Sequence, residues 1–282
     1  MKARLKKGNY KVLQITISLL SLAVVGYKLF HAQFSKATLL DALLSGVPFV
    51  VFALALVPIN WYLEAAKWKL LQHAHEPIPI GRAMRQVLTG LVWNWVIPFT
   101  VGDYLGRTLQ SKDKRMTTFA VIINRVTSSV IAAWFGACGL LVYFFTMEAD
   151  LMWLVLVGIL ILILTIGWLL GQYLYVKVLS LSALRYCVFA LQFYILIDLL
   201  YEIEDPFWIF SGISWVFFFR TFVPSIWGAV GVRELSALLF FSCCLSDDII
   251  ILSSLSIWLI NLVLPTLAMV IYQAISRDKM PN

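Results

Sequence analysis

Long apolar stretches separated by short polar ones run the whole length of the chain. They fall at about residues 12–30, 43–63, 87–101, 117–146, 151–176, 186–201, 207–223, 231–245 and 249–274. A helix needs about 20 apolar residues to cross a bilayer, so the pattern predicts an all-α polytopic membrane protein with about six full transmembrane helices. Two stretches are too short or too interrupted to cross comfortably: the one at 87–101 and the pair around Pro224. The run from Val12 to Phe30 follows a basic start and has 19 residues. It ends Tyr27-Lys28-Leu29-Phe30, longer than a signal-peptide core and without a small-residue cleavage site, so it reads as a retained first span. The whole of 1–282 reads as a single membrane domain with a basic cytoplasmic N-terminus over 1–11.

The polar punctuation sets an orientation. Basic residues cluster at 2–11, 67–85, 107–115, 177–185 and 277–279; acidic ones gather at 148–150, 202–205 and 247–248. Placing the basic clusters in the cytoplasm puts both termini there. The segment 87–107 then starts and finishes inside, and the region 207–245 starts and finishes outside. Lys28 and Lys36 are the exceptions and fall outside.

The two interrupted segments, 87–107 and 219–234, resemble each other. With Pro98 and Pro224 aligned, Gly102 and Gly228 both follow four residues later, and Arg107 and Arg233 nine later. A hydroxyl residue, Thr100 or Ser225, lies just beyond each proline, and Gly231 precedes Val232-Arg233-Glu234. Matched Pro/Gly-interrupted segments of opposite orientation predict an inverted repeat whose broken helices meet near the midplane around a polar site.

Composition narrows the function. The 282 residues are 61% hydrophobic and 13% charged, with mean hydropathy +0.89, which excludes a water-soluble enzyme or nucleic-acid-binding domain. The net charge of +7 is spread over loops rather than gathered in one patch, so no nucleic-acid partner is expected. Charged residues within or beside apolar runs are the candidate site. Arg107, Arg125, Arg220 and Arg233 outnumber the carboxylates Asp103, Asp198 and Glu234; Glu64, at the end of the second run, and Asn124 are further polar candidates. Guanidinium matches phosphate in a bidentate fork. These four arginines are therefore expected to bind a lipid phosphate, supported by the five polar side chains, with Pro98, Gly102, Pro224, Gly228 and Gly231 breaking the helices around it. Trp93, Trp95 and Trp227 flank the breaks and are candidates to line a cavity. The four cysteines read as small apolar packing residues. The sequence offers no catalytic nucleophile, metal-ligand spacing or nucleotide loop, so no catalytic residue, metal or cofactor is expected.

The series Glu64-x-x-Lys67-Trp68-x-x-Leu71, Pro79, Gly81-Arg82, Pro98-x₃-Gly102-Asp103-x₃-Arg107, Asn124-Arg125 and Pro224-x₃-Gly228-x₂-Gly231-Val232-Arg233-Glu234 resembles the lysylphosphatidylglycerol synthase transmembrane-region family. This is the flippase-like domain of bacterial multiple peptide resistance factors and their stand-alone relatives. The resemblance spans about residues 10–275 and implies translocation of an anionic phospholipid or lipid-linked precursor across a bacterial inner membrane. It does not imply synthase activity, which belongs to a soluble C-terminal domain, whereas this chain ends at Asn282 just after its last apolar run. Two alternatives stand beside it. One is a membrane enzyme acting on a lipid or polyprenyl substrate through Asp103, Glu64 and Glu234. The other is an accessory subunit of a lipid-modifying system. A membrane-protein partner or a homo-oligomer is left open.

Overall fold

A computed structural model describes residues 2–31, 46–73, 75–97, 101–109, 111–145, 149–223 and 231–277. Every regular element among them is a helix, and the fold is that of an all-α polytopic membrane protein. The elements are α1 (Lys2–His31), α2 (Val47–Gln72), α3 (Ile80–Val96), α4 (Val101–Thr108), α5 (Lys114–Phe145) and α6 (Ala149–Leu169). They continue with α7 (Tyr173–Asp198), α8 (Pro206–Phe222), α9 (Val232–Phe241), α10 (Asp247–Trp258), a π turn (Leu259–Val263) and α11 (Leu264–Arg277). Among the described residues four stretches are long and apolar enough to cross a bilayer: Val47–Gln72, Lys114–Leu141, Tyr173–Asp198 and Asp247–Ser276. Shorter apolar helices lie at Ile15–Lys28 and Trp153–Leu169.

Two compact units divide the chain. The first comprises Met1–Ala53, Ala132–Ile159 and Ala190–Ile257; the second comprises Leu54–Ile131, Leu160–Phe189 and Trp258–Asn282. Each contains one of the interrupted segments, and each such segment is a helical hairpin.

In the second unit the hairpin is α3–α4. Helix α3 stops where the next residue is proline: Ile97 is extended (φ −117°, ψ 108°) and its N–H bonds the Trp93 carbonyl at 2.8 Å. A residue before proline is driven out of the helical region, so Pro98 sets the stop although it lies outside the described residues, as does Thr100. The returning α4 packs on α3 almost without a gap. A Cβ on Gly106 would stand 2.5 Å from the Gly90 Cα, one on Gly90 2.5 Å from Asp103 Oδ1, and one on Gly102 would collide with the Trp93 carbonyl. Asn94 Oδ1 accepts the Asp103 N–H at 2.8 Å and so serves one of the orphan donors of the first turn of α4. Both ends of the hairpin emerge on one side. Glu76, before α3, accepts from Ser111 Oγ (3.3 Å) and Lys112 N (3.2 Å), after α4, and pairs with Arg82 at 3.0 Å.

The first unit repeats the arrangement with α8–α9. Asp205 caps α8 by accepting the Trp208 N–H at 3.0 Å, and Pro206 occupies the first turn. Helix α8 also ends on an extended pre-proline residue, Val223 (φ −80°, ψ 123°), bonded to the Phe219 carbonyl at 2.8 Å. Pro224, Ser225, Trp227 and Gly228 lie outside the described residues. Trp208, at the start of α8, packs on Phe240 and Phe241, at the end of α9, while Trp215 Nε1 donates to the Ser236 carbonyl at 3.1 Å. The order long helix, long arm, break, short arm, long helix thus occurs twice, as α2–α3–α4–α5 and α7–α8–α9–α10.

Two expectations shift. The run at 151–176 is not one span: α6 ends at Leu169 and α7 begins at Tyr173. Gly171 (φ +73°) forms the turn, with the Gln172 N–H on the Gly167 carbonyl and the Gly171 N–H on the Trp168 carbonyl, both at 3.0 Å, the bonding of a Schellman motif. Apolar residues continue through this turn, so hydropathy does not register it. As a consequence, Lys177 and Arg185 lie on α7 and not in a loop. Lys28, one of the two exceptions to the charge rule, is paired with Asp247 at the start of α10, and Lys36, the other, lies outside the described residues.

The glycine contacts give a test. Gly106→Ala should destabilise the protein by about 1–3 kcal/mol through overpacking. Gly158→Ala, on α6 with nothing within 4 Å of the added carbon, should be neutral or mildly stabilising. Melting of the two purified variants in detergent checks this.

Candidate functional site

The second unit holds a network of charged side chains where the hairpin meets α2, α5 and α7. Its centre is Glu64 on α2, 3% exposed. Oε1 accepts from Arg107 Nη2 at 2.9 Å and from Asn124 Nδ2 at 2.8 Å. Oε2 accepts from Arg185 Nη1 at 3.0 Å and lies 3.4 Å from Lys67 Nζ. The i,i+3 spacing on α2 puts Glu64 and Lys67 on one face. Arg107 comes from the short arm of the hairpin, Asn124 from α5 and Arg185 from α7, so one carboxylate gathers four elements.

Asp103 extends the network. Its Oδ1 accepts from Arg107 Nε at 2.6 Å, one helical turn away on α4, and its Oδ2 from Arg125 Nη2 at 2.8 Å. Lys67, 1% exposed, donates to Ser128 Oγ (2.7 Å) and the Asn124 carbonyl (3.3 Å). Arg185 Nε reaches Asn60 Oδ1 at 3.0 Å, and Asn60 Nδ2 donates to Asn261 Oδ1 at 2.8 Å. Asn261 sits in the π turn just before Pro265, where the missing proline N–H disrupts the α-helical ladder. Two indoles cover the cations: the Arg107 guanidinium lies 4.7 Å from the Trp68 ring centre and that of Arg185 5.5 Å from Trp61. Trp68 is held by its own hydrogen bond to Gln86 Oε1 at 2.7 Å.

Four cations, Lys67, Arg107, Arg125 and Arg185, thus meet two carboxylates, an excess of two positive charges. The excess is not evenly placed. The Arg107 side chain is 5% exposed, but Arg185 is 25% and Arg125 37% exposed. Arg107 nevertheless keeps one buried donor, Nη1, with no partner.

The first unit holds a smaller pair. Arg233 and Glu234, both fully buried, are salt-bridged, with Arg233 Nε 3.0 Å from Glu234 Oε1 and 2.9 Å from Ser254 Oγ on α10. Glu234 Oε2 also accepts the Gly231 N–H at 2.6 Å, closing the first turn of α9. Gly231 has φ +89°, and a Cβ there would come within 2.9 Å of α1 at Ser21 and Leu22; both reasons call for glycine. Arg233, like Arg107, leaves its Nη1 buried without a partner.

The other expected residues fall differently. Arg220 lies half-buried in the last turn of α8. Asp198 is the last residue of α7 and half-buried at a helix end, not deep in a span. Within the second unit the structure joins Glu64, Asp103, Arg107, Asn124 and Arg125, and adds Arg185, Lys67, Asn60 and Asn261. Arg185 was hidden by the misplaced loop; Gly171-Gln172, the kind of pair that follows a helix C-terminus, was the available signal. Of the cysteines, Cys138 is buried, whereas Cys187, Cys243 and Cys244 are exposed.

These features define an integral membrane protein in which a broken helical hairpin carries a buried, net-cationic network. The chain belongs to the lysylphosphatidylglycerol synthase TM region family, whose profile matches residues 12–195. The match includes α3–α4 and the whole Glu64 network except Asn261, and ends before α8–α9. No curated protein and no solved structure matches the chain.

The network predicts an order of sensitivity. Glu64→Ala strands several buried cations and should cost about 3–5 kcal/mol. Arg125→Ala, at the exposed edge, should cost no more than about 1 kcal/mol. Thermal unfolding of the two variants in lipid nanodiscs measures the difference, and equal losses would contradict the central place given to Glu64.

Proposed function

We propose that the protein binds an anionic lipid through its phosphate and carries it across a bacterial cytoplasmic membrane in which both its termini face the cytoplasm. The excess of two positive charges around Glu64 and Asp103 carries this reading. A net excess of positive charge in hydrocarbon is costly, and an anion that joins the network relieves that cost. Arg125 and Arg185 are the arms within reach of a ligand, fixed in direction by Asp103 and Glu64. The buried Nη1 of Arg107 is a further donor awaiting an acceptor. Arg233, with the same unmet donor, is the corresponding candidate on the second hairpin, and Arg220 lies on the long arm of that hairpin. Membership of a family named for a lipid synthase's membrane region supports a lipid ligand, and the basic residues at 2–11, 82–85 and 112–115 support the orientation.

Fluorescent phosphatidylglycerol in proteoliposomes tests it. Arg125→Gln/Arg185→Gln should slow movement between leaflets by about tenfold or more, the equivalent of roughly 1.4 kcal/mol, and should slow a zwitterionic analogue less. Unchanged rates for the anionic lipid would refute the assignment.

A further inference from the structure

The second unit also has a groove of about 530 Å³ between α3 and α11, lined too by Leu109 just after α4. Two cross-links hold its walls in antiparallel register. Gln273 Nε2 donates to Thr89 Oγ1 at 3.2 Å, and Trp95 Nε1 donates to Thr266 Oγ1 at 3.1 Å. Trp95 also packs on Trp258, with ring centres 5.5 Å apart.

Both walls change character in the same direction. Along α3 the lining passes from Arg85 through Thr89 to Val92 and Val96; along α11 it passes from Ser276 and Gln273 to Met269. Because the helices are antiparallel, the polar residues of both share one end and the apolar residues the other. Among the described lining residues Arg85 is the one with a formal charge, and it stands at the polar end. That end lies one helical turn from Arg82 on α3, whose partner Glu76 accepts from the Lys112 N–H in the loop before α5. Arg85 and Val96 are eleven residues apart, about 16 Å of helix, close to half of a hydrocarbon core of about 30 Å. The α3 wall of the groove therefore spans about the depth of one leaflet, and its polar-to-apolar order matches that of a lipid.

We propose that this groove seats an anionic glycerophospholipid from the leaflet on the basic-loop side, with its phosphate at Arg85 and one acyl chain between Val92, Val96 and Met269. The proposal rests on the lipid reading above and gives it a docking place. Helix α3 is shared: its Gln86 and Gly90 face serves Trp68 and α4, and its Arg85 and Val92 face serves the groove. A lipid seated there lies beside the hairpin, and Leu109 stands two residues beyond Arg107.

The test is photocrosslinking in nanodiscs of phosphatidylcholine with a phosphatidylglycerol probe bearing a diazirine near the end of one acyl chain. Adducts are expected on Val92, Val96 and Met269. Arg85→Gln should lower adduct yield from the phosphatidylglycerol probe about fivefold relative to a phosphatidylcholine probe, roughly 1 kcal/mol. Val92→Trp, which fills the groove and leaves the charged network untouched, should remove the adducts. Adducts spread over bilayer-facing helices such as α6 with no enrichment in the groove would overturn the proposal. So would adducts that persist with Val92→Trp, or a second copy of the chain crosslinked through Leu109→Cys in place of lipid. The unsubstituted protein supplies the adduct map by itself, so a poorly folding variant does not remove the test. Lipid movement measured on the same proteins separates the two claims. Groove adducts without movement count against transport, and movement without groove adducts counts against the groove.

Discussion

A carboxylate surrounded by cations in the apolar interior is the constraint on which the second unit depends. Glu64 accepts hydrogen bonds from Arg107, Arg185 and Asn124 and neighbours Lys67. A lone buried ion costs several kcal/mol after relaxation, so each of these side chains requires the others. The elements that carry them, α2, α4, α5 and α7, are fixed together for the same reason. The short arm of the hairpin is a clear case: with eight residues it is too short to be a stable helix alone. Arg107 and Asp103 anchor it on one face, and the glycine contacts with α3 hold it on the other.

The hairpins show how local rules yield a broken helix inside a membrane. A pre-proline residue ends each long arm in extended geometry, and the last N–H folds back to a carbonyl four residues earlier. The returning arm then needs an interface without side-chain bulk on the α3–α4 side, which Gly90, Gly102 and Gly106 supply. On the α8–α9 side the interface is aromatic, and the Gly212 position leaves room for Phe240 and Phe241. The same topology is therefore packed by two different chemistries, which explains why the halves share Pro, Gly and Arg spacing but little else in sequence.

The fold was legible to the extent that hydropathy and charge carry it. The interrupted segments stood out as too short to cross, and the basic residues flanking 87–107 already implied that both its ends lie on one side, as the Glu76 contacts show. Two features escaped. The Gly171 turn lies in unbroken apolar sequence, so only backbone conformation reveals it, and with it went Arg185. The Asn60–Asn261 link joins positions 201 residues apart, and although Asn60 lies one helical turn before Glu64, nothing in the sequence pairs it with Asn261. Arg107 and Arg125 were singled out as charges in an apolar setting. That they share Asp103 follows from hairpin geometry that no spacing rule encodes.

The link from structure to function is charge balance. Four cations are held by two carboxylates, with Arg125 and Arg185 partly exposed, and on the proposed reading the buried acids fix these guanidinium groups in direction for an anion. The most direct test is a high-resolution cryo-EM reconstruction in nanodiscs rich in phosphatidylglycerol. The account predicts phosphate density within about 3.5 Å of the guanidinium nitrogens of Arg125 or Arg185. A well-ordered map in which both guanidinium groups contact only protein, with no headgroup density beside them, would contradict it.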